Sequence, residues 1–228
     1  MHRRSRKSLV REFFERLGYR DTASILLSVV AVAAVGAAFF GYLSNRPPAD
    51  GSDEAGFARD MMIHHAQAVQ MAEIVRDKTE DERMRTIASD MAITQQGQIG
   101  QMQGWMGVWG IPITGTEPYM AWMGHDLEQN ERMPGMATPG EIWELTEAPP
   151  EEADEIFLRL MIPHHESAVP MSEAIYDTNH PEVRQLAEAI ALSQESEIRL
   201  MEDMLEDMGG EAPESEPMDM NHEGHDHE

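Results

Sequence analysis

Two histidine pairs are the residues of this chain best placed to do chemistry, and each comes with methionines at helical spacing. His64 and His65 lie in "FARDMMIHHAQAVQMAEIV", Phe57 to Val75; His164 and His165 lie in "FLRLMIPHHESAVPMSEAI", Phe157 to Ile175. Phe57, Met61, His64, His65, Ala68, Val69, Met71 and Glu73 each recur 100 residues later. A repeat of this length marks a duplicated structural unit. Imidazole with thioether is a donor set for Cu(I) and the related soft ion Ag(I). Hard cations take oxygen ligands. Zn(II) held by His alone would leave the methionines unexplained.

The spacing predicts a helix that carries these groups inward. Met61 lies i, i+3 from His64 and i, i+4 from His65, so all three share a face. Met71 lies seven beyond His64, two turns along. With Met61 at zero on a helical wheel, Phe57, His64, His65, Ala68, Met71, Ala72 and Val75 fall within an arc of about 120°. Arg59, Asp60, Gln67, Gln70 and Arg76 fall outside it or at its edge. Both histidines therefore belong to the apolar stripe. An unpaired buried polar group costs about 1–3 kcal/mol, so four imidazoles in one core require a metal or an extended hydrogen-bond network.

A second helix follows, with "TEDE" (Thr79, Glu82) reading as a capping box. Its stripe is Met84, Ile87, Met91, Gln95, Ile99, Met102 and Met106, ending near Gly107 or Gly110. Leu186, Ile190, Gln194, Ile198, Met201 and Leu205 answer the last six at +99, between Pro181 and Gly209-Gly210. Met102 and Met201 are thus pseudo-equivalent ligand candidates, and Gln95 and Gln194 candidates for orienting the imidazoles. Each half reads as an αα-hairpin with one apolar face. Two such hairpins predict an all-α four-helix bundle with a pseudo-twofold axis. Pro163 and Pro170 have no counterpart in the first half, where Ile63 and Gln70 stand. Proline bends a helix and removes a hydrogen bond, so the halves are expected to share a scaffold but differ in local geometry. The connection, about residues 108–150, is rich in Gly and Pro, and "TPGE" (Thr138, Pro139, Glu141) starts a short helix in it.

Two looser clusters add soft and imidazole donors: Met120, Met123 and His125 in the connection, followed by Met133 and Met136, and Met218, Met220, His222, His225 and His227 in the tail. His-rich tracts read as metal-binding by composition.

Of 228 residues, 19 are Met and none is Cys, which excludes disulfides, thiolate sites and cysteine nucleophiles. Charge is unevenly divided. Residues 1–21 carry seven Arg or Lys, whereas everything after Leu43 carries 10 basic against 39 acidic residues. That acidic part repels nucleic acid and attracts cations. Residues 22–43, "TASILLSVVAVAAVGAAFFGYL", hold no charge, and about 20 apolar residues span a bilayer. The basic flank precedes them and puts the N-terminus in the cytoplasm. A cleaved signal peptide competes with this reading, but "FFGYLSNRPP" is a poor cleavage site. The expected organisation is a cytoplasmic basic segment (1–21), a membrane anchor (22–43), a linker (44–53), an extracytoplasmic helical domain (54–209) and a disordered acidic Met/His tail (210–228).

"MxxHHxxAVxM" occurring twice, "QQGQIGQMQGWMGVWG" (Gln95 to Gly110) and "MPGMAT" (Met133 to Thr138) ahead of "FLRLMIPHHESAV" resemble the domain-of-unknown-function 305 family over about residues 54–209. The resemblance implies a ferritin-like four-helix bundle, extracytoplasmic and often membrane-anchored, with copper binding and copper resistance in some members. It implies ligand positions at Met61, His64, His65 and Met71, with Met161, His164, His165 and Met171. The function expected is sequestration or transfer of copper, preferably Cu(I), with a metal ion as partner. No protein partner is legible. The rival readings are a structural bundle whose core histidines are hydrogen-bonded without metal, and a ferritin-like oxidase. The oxidase needs Glu-x-x-His on two helices, which this chain lacks, so no enzyme is expected.

Overall fold

A computed structural model of the chain describes residues 19–44, 46–125, 127 and 131–213, with side chains omitted at 19–22, 40 and 42–44. The described residues are all-helical. They form α1 (Tyr19–Ser44), α2 (Asp53–Lys78), α3 (Glu82–Trp109), α4 (Pro139–Glu147), α5 (Pro150–Glu173) and α6 (Pro181–Asp207), with a 3-10 turn at Ala121–Met123. The chain divides into two compact units at Pro47/Pro48. The first contains α1, every described side chain of which from residue 23 to 39 is exposed, Leu26, Leu27 and Val32 among them. Among the described residues no helix is long and apolar enough to cross a membrane.

In the second unit α2 packs on α3, α5 on α6, and α2 on α5. The apolar stripes explain this. The buried residues of α2 are Phe57, Met61, His64, His65, Ala68, Met71, Ala72 and Val75, as the wheel predicts, together with Ala55, Ala58, Asp60 and Met62. Met84, Ile87, Met91, Gln95, Ile99, Met102 and Met106 are buried on α3. On α6 the buried set includes Leu186, Ile190, Gln194, Met201 and Leu205, with Ile198 half-buried. One apolar cluster joins Phe57 and Met61, early in α2, to Met171, late in α5, and Ile175 just beyond it. The other joins Met71 and Val75, late in α2, to Phe157 and Met161, early in α5. The two histidine-bearing helices therefore run antiparallel, each half facing the opposite half of its repeat.

The turns are duplicated as well. Thr79 Oγ1 donates to Asp154 Oδ2 at 2.8 Å, and Thr178 Oγ1 donates to Glu54 Oε1 at 2.6 Å. Each hairpin turn thus grips the acidic residue that opens the other hairpin. Arg85 donates to the Thr79 carbonyl and Arg184 to the Thr178 carbonyl, which ties off the chain reversal in both halves. This use of Thr79 replaces the expected capping box. Asp81 caps α3, accepting from the Arg83 and Met84 amides at 2.6 and 3.0 Å. An aspartate in extended backbone just before the first turn satisfies two orphan donors by itself. The capping box at Thr138 and Glu141 does form and starts α4. Gly110, in the left-handed region at φ 73°, ends α3.

Proline breaks the symmetry modestly. Pro163 and Pro170 both lie inside α5, which continues through them but stops at Glu173. Its repeat partner α2 runs on to Lys78. The connection is pinned to α2 by Asp60, whose Oδ2 accepts from the Met120 amide at 2.7 Å and from Trp122 Nε1 at 2.9 Å. The wheel placed Asp60 away from the core stripe. It is nonetheless buried, because the connection lies over that face.

Candidate metal centre

His64 and His164 meet where α2 crosses α5. Their ring centroids are 3.8 Å apart, with the planes tilted by 37°. The His164 and His165 centroids are 6.3 Å apart. All four imidazoles are at most 1 % exposed. The i, i+1 spacing gives the two residues of each pair different tasks. The first reaches across to the other hairpin, and the second turns toward the return helix of its own.

Hydrogen bonds set the tautomers. His165 Nε2 lies 2.7 Å from a Glu197 carboxylate oxygen, which only accepts, so Nε2 carries the proton and donates. His65 Nε2 likewise donates to Gln98 Oε1 at 2.7 Å. Ser167 Oγ donates to the His164 carbonyl at 2.8 Å, so its oxygen is left to accept from His64 Nε2 at 3.0 Å. In His65 and His165 the lone pair is therefore on Nδ1. The Nδ1 atoms of His64, His65 and His165, and Nε2 of His164, are buried and make no hydrogen bond.

Burial keeps the rings of His64, His65 and His164 neutral. Loss of solvation is the largest influence on His65, held down to about 3 against the Gln98 hydrogen bond that favours its protonation. Desolvation also lowers His64 and His164 well below the ordinary value, and the neighbouring imidazoles push the same way. A metal ligand must be deprotonated, so at neutral pH these rings present lone pairs and no charge.

The methionines sort crosswise. Met61, Met102 and Met171 belong to one cluster, and Met71, Met161 and Met201 to the other. These trios are images of each other under the repeat. The sequence grouped Met61 with Met71 because they share a helix face. The antiparallel packing separates them toward opposite ends and gives each end a methionine from both hairpins and a return helix. The first cluster also takes in Met120, Met123 and Met133 from the connection, with Met136 packed against it. His125 is half-buried. Met218, Met220, His222, His225 and His227 lie outside the described residues. Among the described residues no three His, Asp or Glu side chains converge as a ready-made metal cage, so imidazole and carboxylate alone do not build a closed zinc-type site.

Gln95 and Gln194, expected to orient the imidazoles, do not. Both are buried, with the amide atoms of Gln95 and Oε1 of Gln194 unpartnered. The orienting residues are Gln98 and Glu197, one turn further on. Their signal was the shared +99 register, obscured because the residue types differ. Ser167 and Gly135 also escaped the sequence reading. Gly135, at φ 72°, lets the "MPGMAT" loop lie so close to α5 that a Cβ would overlap the Pro163 carbonyl and the Ser167 hydroxyl. Gln67 holds the next turn of that loop, donating to the Ala137 carbonyl at 3.0 Å and accepting from its amide at 2.7 Å.

The family model described as "Domain of unknown function (DUF305)" matches residues 54–205, and again 174–227. The chain belongs to the DUF305 family. A putative secreted DUF305 protein from Streptomyces coelicolor is 42% identical, with 73% of this chain and 99% of that one covered and a TM-score of 0.68. A DUF305 fragment from Deinococcus radiodurans is 35% identical, with 71% and 99% covered and a TM-score of 0.59. CopM in its Cu(I)-bound form is 27% identical, with 70% and 99% covered and a TM-score of 0.56. CopM has also been solved in Cu(II)-bound and Ag-bound forms, 28% and 26% identical. No curated protein matches the chain.

Proposed function

We propose that this DUF305 protein binds Cu(I), and the related ion Ag(I), on the buried histidines and the methionine trios, and that it stores or hands on copper instead of catalysing a reaction. The observation that carries this is the set of orphaned ring nitrogens. Three Nδ1 atoms and one Nε2 are buried without hydrogen bonds, and the other nitrogens of His64, His65 and His165 are hydrogen-bonded. A core that only hydrogen-bonded its histidines would not leave so many acceptors empty, since each costs about 1–3 kcal/mol. The imidazoles fit a metal as donors, and the thioethers make the set soft. Copper or silver in the CopM structures supports the same reading.

In this reading residues 54–209 are a four-helix bundle of the ferritin-like kind, lying outside the cytoplasmic membrane. Residues 22–43 anchor it, with the N-terminus in the cytoplasm. An uncharged run of that length supports this, as do its large apolar side chains, Leu26, Leu27 and Val32 among them, that stand exposed. Residues 210–228 serve as a tail that collects metal at low affinity.

The test is titration of the purified protein with Cu(I) under anaerobic, reducing conditions against a chromophoric competitor. The wild type is expected to withdraw Cu(I), and replacement of His64, His65, His164 and His165 by Gln to abolish tight uptake while helicity is retained. Uptake that survives loss of all four histidines sinks the proposal.

A further inference from the structure

At one position where both hairpins touch an imidazole, their residue types differ. Gln98 and Glu197 stand at the same place in the +99 repeat. Each receives the Nε2 proton of its own hairpin's second histidine, at the same distance of 2.7 Å. The geometry is duplicated but the chemistry is not. An amide oxygen is a neutral acceptor. A carboxylate makes a charge-assisted bond, drawing the proton toward itself and leaving more electron density on the opposite nitrogen. That opposite nitrogen, Nδ1, is the unpartnered one in both His65 and His165.

The surroundings reinforce the difference. The Glu197 side chain is 21% exposed while His165 is wholly buried, so the carboxylate joins the solvent to the buried ring. We infer that the two halves of the centre are unequal donors: Glu197 makes His165 the stronger ligand, so the first ion settles on the His164/His165 side, and the Gln98 side holds metal more loosely. Glu197 and Gln98 are positioning residues, each acting through its histidine. The inference rests on the copper-binding reading above and specifies where in that site affinity is concentrated.

The experiment compares the full-length wild type, Glu197→Gln, Gln98→Glu and the double exchange, in detergent, with two readouts. The first is the imidazole nitrogen NMR spectrum of the metal-free protein. It is expected to show His165 protonated on Nε2 and bare on Nδ1, with the His165 resonances moving in Glu197→Gln. The second is competitive Cu(I) titration. The wild type is expected to load in two steps. Glu197→Gln is expected to weaken the first step by about 10- to 100-fold and bring the two steps together. Gln98→Glu is expected to strengthen the second, and the double exchange to restore a strong first step. A strengthening by Gln98→Glu is not what a merely structural role would produce. Cu(I) uptake by the wild type that Glu197→Gln leaves unchanged overturns this inference alone, as does a metal-free spectrum with the His165 proton on Nδ1. No uptake by the wild type overturns the copper reading and this inference together.

Discussion

At the scale of the residue, the protein's central fact is a neutral, buried imidazole. His65 is held down to about 3, and His64 and His164 are also lowered, in each case first by desolvation. The unfolded chain binds a proton at each ring near the ordinary value of 6.5, whereas the folded chain does so only at much lower pH. Between those limits the unfolded state holds more protons, so stability rises with pH. The histidine contribution is therefore complete above about 6.5 and lost as pH falls toward about 3. Asp60 and Asp154, pushed up by burial, act in the opposite sense nearer the carboxylate range. Melting temperatures of the metal-free protein measured across this window are expected to fall steadily on acidification. A flat profile would contradict the burial of neutral rings.

At the scale of the element, the loop from Met133 to Thr138 closes the outer side of the His64 neighbourhood. Its approach depends on Gly135, which has both a left-handed φ of 72° and no room for a Cβ. Gly135→Ala is expected to destabilise the fold by about 1–3 kcal/mol from the backbone conformation alone, with the overlap on Ser167 adding to it. Gly140 is the control. It lies within α4, where a Cβ would meet Thr138 Oγ1 at an ordinary 3.7 Å. Gly140→Ala is expected to be neutral, or to stabilise by about 0.5–1 kcal/mol. Denaturant midpoints of the two variants separate the close approach from glycine's general flexibility.

At the scale of the whole molecule, duplication puts a methionine trio in each of the two core clusters, Met61, Met102 and Met171 in one and Met71, Met161 and Met201 in the other. The interlocked turns, Thr79 on Asp154 and Thr178 on Glu54, hold the two hairpins in that register. A ligand that binds only this folded arrangement must stabilise it, by about 2.7 kcal/mol at a free concentration 100 times its dissociation constant. Cu(I) or Ag(I) is therefore expected to raise the melting temperature, and Mg(II), which takes oxygen ligands, to leave it unchanged at equal concentration. Scanning calorimetry with each ion checks this; an unmoved melting temperature with Cu(I) would favour a purely structural role for the histidines.

Much of this was legible in the letters. The 3.6-residue periodicity alone put Phe57, Met61, His64, His65 and Met71 on a buried face, because an amphipathic helix must turn its apolar stripe inward whatever it packs against. The +100 and +99 matches delivered two hairpins, and the spacing of Thr138 and Glu141 delivered a local cap. These are interactions within one turn or one helix, and local chemistry determines them. What faces what across the interior was not legible. Only antiparallel packing of α2 on α5 brought His64 against His164, parted Met61 from Met71, turned Thr79 from a cap into a latch and buried Asp60 under the connection. The orienting residues moved from Gln95 and Gln194 to Gln98 and Glu197 for the same reason. A helical period says which face is inside, but the partner of an inward side chain depends on the rotation and direction of a second helix, and those are set only when both hairpins close.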